Sequence, residues 1–563
     1  MSRSSDSSGL TRRAVLRGVA VAGAAALIDP GAGLARADSS AVFSRYVGRV
    51  AGGDTGVIAL ARSFSLVGVE WSAPARPGIE LRTRVAGGGW GPWAAASVLG
   101  HGPDRPAHNN RRFGEPIWVG AATDVQLRSA SAVDGVRLHF VTVGGPGPGP
   151  GPGPGPGPGP GDATAAAATL PLAQPMLAAG PGQPPIIARA AWAHGHAPPR
   201  HAPEYGTVRL AFVHHSETPN GYGAAQVPSI LFSIFAYHRY VRDYFDIGYN
   251  FAVDAYGRIW EARAGGIDQA VMGAHAGGYN TESTGVVVLG SFSNAAPPPA
   301  ALGALEQLLA WKLALHGVPA LGRVSVEVSP DGAVYTAFAP GSHVSLPRIA
   351  GHRDGDQTSC PGDALYARLP SVRARVAGLV GTALRLSIVA PVAPVSPGTS
   401  VTVAGRLTDL SGGAPVAGAP IELQQLIGTH VETTIATVLS DADGGWSLPV
   451  TPVANTLLRA LHRGAPAAVS DVVVIALAPA VTLSLVSSAP LVVSGTVAPA
   501  GPRVTIDLYR GRRLVASKTV AAAGGNFQAR IKRPPPGRYR LVARTAASAR
   551  YAAGASPPVA LVL

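Results

Sequence analysis

GHRDGDQTSCPGDALYARL, residues 351–369, sets two strong metal ligands, His352 and Cys360, in a loop rich in Gly, Asp, Ser and Pro. Imidazole and thiolate are borderline-soft donors that suit zinc, but two ligands do not close a site. A third is offered at the end of the strand-like run RLAFVHHS (209–216), where His214 or His215 would project from a rigid element. Neighbouring strand residues face opposite sides, so the pattern leaves open which of the two joins the loop. Two His and one Cys with a vacant fourth position form a catalytic rather than a structural arrangement.

Working outward, the runs TVRLAFVHH (207–215), YNFAVDAYGRIWEAR (249–263) and GVVVLGSF (285–292) read as strands. They alternate with helical patterns around Val227 to Tyr244 and from Pro299 to His316. Pro297, Pro298 and Pro299 suit the first turn of the second helix, and Gly317 stands where a C-terminal cap is expected. Residues 186–380 therefore predict an α/β domain with a mixed sheet and flanking helices.

The segments on either side differ in kind. Residues 38–144 carry short β-rich runs such as FSLVGVEW and VRLHFVTVG, predicting a small β-sandwich. A Gly-Pro repeat begins at Gly144, and residues 145–185 predict a semi-stiff Gly-Pro and Ala/Pro linker. Beyond Val380 helical signals vanish. Residues 384–477 and 478–563 each hold a Gly-Gly turn ahead of an aromatic, SDADGGWSLPV and VAAAGGNFQARI, and predict two immunoglobulin-like β-sandwiches. A multidomain chain is what 563 residues lead one to expect.

Residues 1–37 combine TRRAVLR (11–17), a weakly apolar stretch to Ile28 and ARA (35–37) before Asp38, which predicts a twin-arginine export signal and a secreted or wall-associated product. No apolar run reaches the ~20 residues that span a bilayer, so no membrane span is expected. The formal net charge is +14, and removing five Arg and two Asp with residues 1–37 leaves 14 − 3 = +11. The basic residues are scattered, with no nucleic-acid-binding signature, so anionic wall polymers suit the charge better than nucleic acid. The single cysteine excludes an intrachain disulfide. The mature chain is read as a monomer.

Five ordered blocks carry a family resemblance: RAAW (189–192), FVHHS (212–216), DIGYNFAVDAYGRIWEAR (246–263), GAHAGGYNTESTGVVVLGSF (273–292) and GHRDGDQTSCPGDALY (351–366). Together they resemble the peptidoglycan recognition proteins and type 2 N-acetylmuramoyl-L-alanine amidases. The resemblance implies Zn2+ held by His214, His352 and Cys360, with His215 an inward-facing neighbour. It implies catalytic roles for Tyr249 and Thr358, as donors to a developing oxyanion, and peptide-groove positions at His275, Tyr279 and Asn280. The implied reaction is hydrolysis of the amide joining the lactyl group of N-acetylmuramic acid to L-alanine of the stem peptide, with the muramyl peptide as partner.

Other residues receive plainer readings. Glu261 is a candidate proton carrier whose alternative is a salt bridge to Arg263, and His238 is expected in the core. His194, His196 and His201 sit among prolines and read as loop residues. Ala262 departs from the Gly usual in the family. The rival functions are a non-catalytic wall-recognition protein, which would typically lack a zinc ligand, and a surface adhesin in which the β-domains do the main work.

Overall fold

The computed structural model describes residues 42–72, 77–104, 111–143, 182–193, 199–380, 383–410, 412–427 and 431–563. Residues 1–37, read above as an export signal, nearly all of residues 145–185, read as a linker, and His194 and His196 lie outside the described residues. The protein is multidomain, with separate apolar cores along the chain.

The N-terminal β-rich region is a single antiparallel sheet of eight strands rather than two separately bonded sheets. The joining element is the 14-residue strand Ile58–Trp71, which pairs with both Ile117–Ser129 and Val133–Val141. Its register shifts between Ala59 and Leu66, and such bulges bend a strand without breaking its pairing.

The central domain holds a six-stranded mixed sheet in the order Ile349–Gly351, Leu210–His215, Ser283–Val288, Phe251–Val253, Ile259–Glu261, Ile186–Ile187. Leu210–His215 pairs in parallel with both neighbours and is buried along its whole length, which explains its nearly unbroken apolar sequence. Ala211 and Val213 meet the helices Pro299–Leu315 and Leu369–Val380 on one face. Leu210 and Phe212 point the other way.

Pro299–Leu315 begins where its prolines predict, and Gly317 follows with φ of 62°. The other helix departs from expectation. It is α-helical over Val227–Ala236, then widens into a π-turn at Tyr237–Val241, closed by a hydrogen bond from Arg242 N to the Tyr237 carbonyl (3.1 Å). Asp243, at φ of 62°, takes the chain out of helical geometry before Tyr244.

Among the described residues no helix follows Val380. Each C-terminal segment forms two sheets around its own core, one containing Val403, Ile421, Trp446 and Leu458, the other Val493, Ile506, Phe527 and Leu541. No helix among the described residues is long and apolar enough to cross a membrane.

Lys312 is buried at the back of the central domain, and its Nζ donates to the carbonyls of Ile267 and Gln269, each at 2.7 Å. Burial pulls its pKa down to about 7, against the counter-pull of Asp268. From about pH 7 to about pH 10 the unfolded chain holds a proton that the folded chain releases, so this group makes stability rise with pH. Thermal melts should therefore show wild type gaining on Lys312→Met across that window. A difference that stays flat or falls would show that Lys312 keeps its proton when buried.

Candidate metal centre

The parallel register positions the ligands. Val213 pairs with Gly351, so His214 and His352 emerge side by side where the two strands end. Their ring centroids are 4.4 Å apart. The loop from His352 folds back, with Arg353 N donating to the Cys360 carbonyl (3.0 Å) and bringing the thiol under both histidines. One ligand atom each from His214, His352 and Cys360 lie within 4.8 Å of one another, and all three residues are buried.

The groups around this triangle fix its rings. His352 Nε2 lies 3.1 Å from Asp356 Oδ2, leaving Nδ1 without a hydrogen-bond partner. His214 turns one nitrogen to His275 Nδ1 (3.2 Å) and the other to Cys360 Sγ (3.7 Å). Asp356 is held in turn by Gly277 N (2.8 Å). A carboxylate behind a ligating imidazole sets its tautomer and raises its donor strength. His215 takes the opposite face, accepting from Phe292 N at Nδ1 (3.3 Å) and lying 3.2 Å from Glu217.

Burial, with repulsion from the other imidazoles, holds His214 and His275 well below the usual histidine range, and burial takes His352 down to about 3. The ring nitrogens are thus neutral, as metal ligands must be. Burial pushes the Cys360 thiol up, so a thiolate there calls for a cation beside it. Two neutral imidazoles, that of His352 with an unpartnered Nδ1, and a thiol converging on one point fit a borderline-soft divalent metal.

Tyr249 borders this centre, its ring centroid 5.2 Å from that of His214. Thr358 Oγ1 accepts from Cys360 N (3.2 Å) and donates to the Val98 carbonyl (3.1 Å). Tyr279 is buried beneath the loop, packed on Phe212, with its hydroxyl 3.3 Å from the Gly355 carbonyl. Asn280 Oδ1 accepts from His275 N and Ala276 N at 2.9 and 3.1 Å, and the residue lines a cavity with Asp104, Phe245, Arg263 and Met272.

The Glu261 carboxylate accepts from Arg189 N (3.0 Å), and Arg263 pairs with Asp104 instead of forming the expected salt bridge to Glu261. His238 stacks on Tyr244 with centroids 4.7 Å apart and accepts from Gly248 N at Nδ1 (3.0 Å), a core histidine as expected, although its Nε2 has no hydrogen-bond partner. His201 lies against Phe245. Ala262 adopts no left-handed conformation, so its Cβ is accommodated. Sequence reasoning missed Asp356, whose signal was an acid one helical turn after a ligand, and His101, which had none.

A mixed α/β domain with a His-His-Cys triangle at its strand ends is a domain built around a candidate metal site. The family described as N-acetylmuramoyl-L-alanine amidase matches residues 204–363, and one described as Rv3811 N-terminal galactose-binding domain-like matches residues 33–164. A peptidoglycan-recognition protein of Drosophila simulans is 34% identical over 184 residues, covering 33% of this chain and 85% of the relative. N-acetylmuramoyl-L-alanine amidase of Homo sapiens is 30% identical over 189 residues, 33% of this chain and 28% of that protein. The chain belongs to the peptidoglycan recognition protein and type 2 N-acetylmuramoyl-L-alanine amidase family.

Asp356→Ala removes the acceptor behind His352. Affinity for zinc, read by competition with a chromophoric chelator, should fall about 10- to 100-fold. Unchanged affinity would remove Asp356 as the orienting partner.

Proposed function

We propose that this chain is a zinc-dependent N-acetylmuramoyl-L-alanine amidase that hydrolyses the bond between the lactyl group of N-acetylmuramic acid and L-alanine of the stem peptide. The observation that carries this reading is the convergence of His214, His352 and Cys360 beside Tyr249. A relative lacking one ligand could recognise the wall without cutting it, whereas this chain has the full set.

Zinc, when bound by those three residues, would polarise the scissile carbonyl and activate water at neutral pH. Burial pushes the Tyr249 phenol well above its ordinary pKa, so it stays protonated and donates to the oxygen on which charge develops. Thr358, whose hydroxyl donates to the Val98 carbonyl here, would supply a second donor once that contact is released. His275 positions His214 from behind, and Tyr279 supports the loop. Of the three groove candidates, Asn280 lines the cavity that also holds Asp104, Phe245 and Arg263. Residues 1–37 are proposed to direct export by the twin-arginine route, and the flanking β-domains with the net positive charge to favour attachment to anionic wall polymers.

The test is digestion of purified peptidoglycan by the mature chain and by residues 186–380, with mass spectrometry for released peptides that begin with free L-alanine. Release should require zinc and vanish in Cys360→Ser. Tyr249→Phe should retain zinc while losing about 10²- to 10³-fold in turnover. If zinc binds and the wall is retained but neither protein releases such peptides, the chain is a recognition protein.

A further inference from the structure

The metal centre has a wall that does not belong to its own domain. Residues 97–104, a loop of the N-terminal region, run across it and are anchored along their length. Ser97 Oγ donates to Glu217 Oε1 (2.8 Å), the Val98 carbonyl accepts from Thr358, and Asp104 accepts from Phe245 N (2.9 Å) and pairs with Arg263. Between these anchors His101 reaches inward and is fully buried. Its Nδ1 lies 2.8 Å from the Tyr244 hydroxyl and its Nε2 3.5 Å from the Tyr249 hydroxyl, with its ring centroid 5.6 Å from that of His352.

His101 therefore stands against the phenol proposed to receive the substrate's oxygen. His214, His275 and His352 are 0% exposed, and Tyr249 and Cys360 are 1% exposed, so the three ligands and Tyr249 offer no surface to a polymer, and only Thr358 is partly exposed. The fit depends on two glycines. A Cβ on Gly100 would come within 2.7 Å of Thr358 Cβ and 2.9 Å of His352 Cε1. A Cβ on Gly68, in the strand Ile58–Trp71, would overlap the Tyr237 ring of the π-turn. Around Gly68, Leu66, Trp118 and Val141 pack into the same core as Ile230, Ile234 and Tyr237. The Arg242 guanidinium lies 3.6 Å over the Phe113 ring.

We infer that the N-terminal domain is a built-in plug, with His101 as its stopper, which keeps the metal centre closed to the wall until the domain swings away. Plug and substrate compete for the same groove, so a muramyl peptide binds only the open form and shifts the population towards it. This rests on the amidase reading for what the open site does. Whether the site is closed is a separate matter, and it has readouts that require no catalysis.

The experiment uses the full mature chain with two wedges, Gly100→Trp at the plug and Gly68→Arg at the distant Tyr237 contact, together with His101→Ala, which adds no bulk. In metal-free protein the rate at which an aromatic disulfide modifies Cys360, the single thiol, reports opening. In zinc-loaded protein the rate of zinc transfer to a chelator does the same. Both should rise at least about tenfold in each variant that circular dichroism shows to be folded, and peptide release from walls should rise with them.

Rates within about twofold of wild type in the folded variants overturn the plug, as does a wild-type Cys360 that reacts as fast as in denatured chain. Faster thiol and zinc exchange with walls left uncut uphold the plug and defeat the amidase reading. Full cutting by wild type, with no gain in any folded variant, does the reverse.

Discussion

Parallel pairing of Leu210–His215 with Ile349–Gly351 is the constraint on which the site depends. Parallel neighbours end at the same edge, so two histidines far apart in sequence emerge together and the loop after the second need only fold back to deliver Cys360. The same pairing makes the strand buried on both faces, which turns alternation into a sorting rule. Ala211 and Val213 fill the helix-side core, His214 points to the metal side, and His215 turns to Phe292 and Glu217. A one-residue slip would exchange the two histidines and leave the loop facing the wrong one.

A cluster of this kind conflicts with local stability, since His101, His214, His275, His352 and Cys360 are desolvated together. Burial without full hydrogen bonding costs free energy, and the unpartnered nitrogens of His275 and His352 mark where that cost remains. Such conflicts concentrate at functional sites, where a ligand supplies what the protein alone does not. Asp356 and Asn280 offset part of it by holding the loops that carry the rings.

Legibility followed sequence distance and residue chemistry. His352 and Cys360 were readable because few side chains bind metal and both stand in one loop. The long helix was readable because Pro297 to Pro299 and Gly317 bracket it. The choice between His214 and His215 needed the family, because facing is decided by register rather than composition. His275 and Tyr279 were placed near the groove by resemblance, and in the structure both are buried, His275 against His214 and Tyr279 against the Gly355 carbonyl, contacts that only the packing reveals. His101 was invisible. GHGPD (100–104) carries no motif, and its role exists only because another domain lies over it.

The contact between that domain and the metal centre is close but not free of cost. Glu115 is buried at the boundary with Glu217 nearby, and burial together with that second carboxylate pushes its pKa well up. Glu217 has His215, Ser97 and Ser291 to hold it ionised, whereas Glu115 Oε1 has no hydrogen-bond partner. A buried, unsatisfied carboxyl oxygen subtracts about 1–3 kcal/mol from whatever the surrounding apolar contacts contribute. Separation of the domains would return Glu115 to water and remove that cost. The apolar packing around Gly68 holds the docked state while Glu115 opposes it, and that balance suits a cover that must also come off.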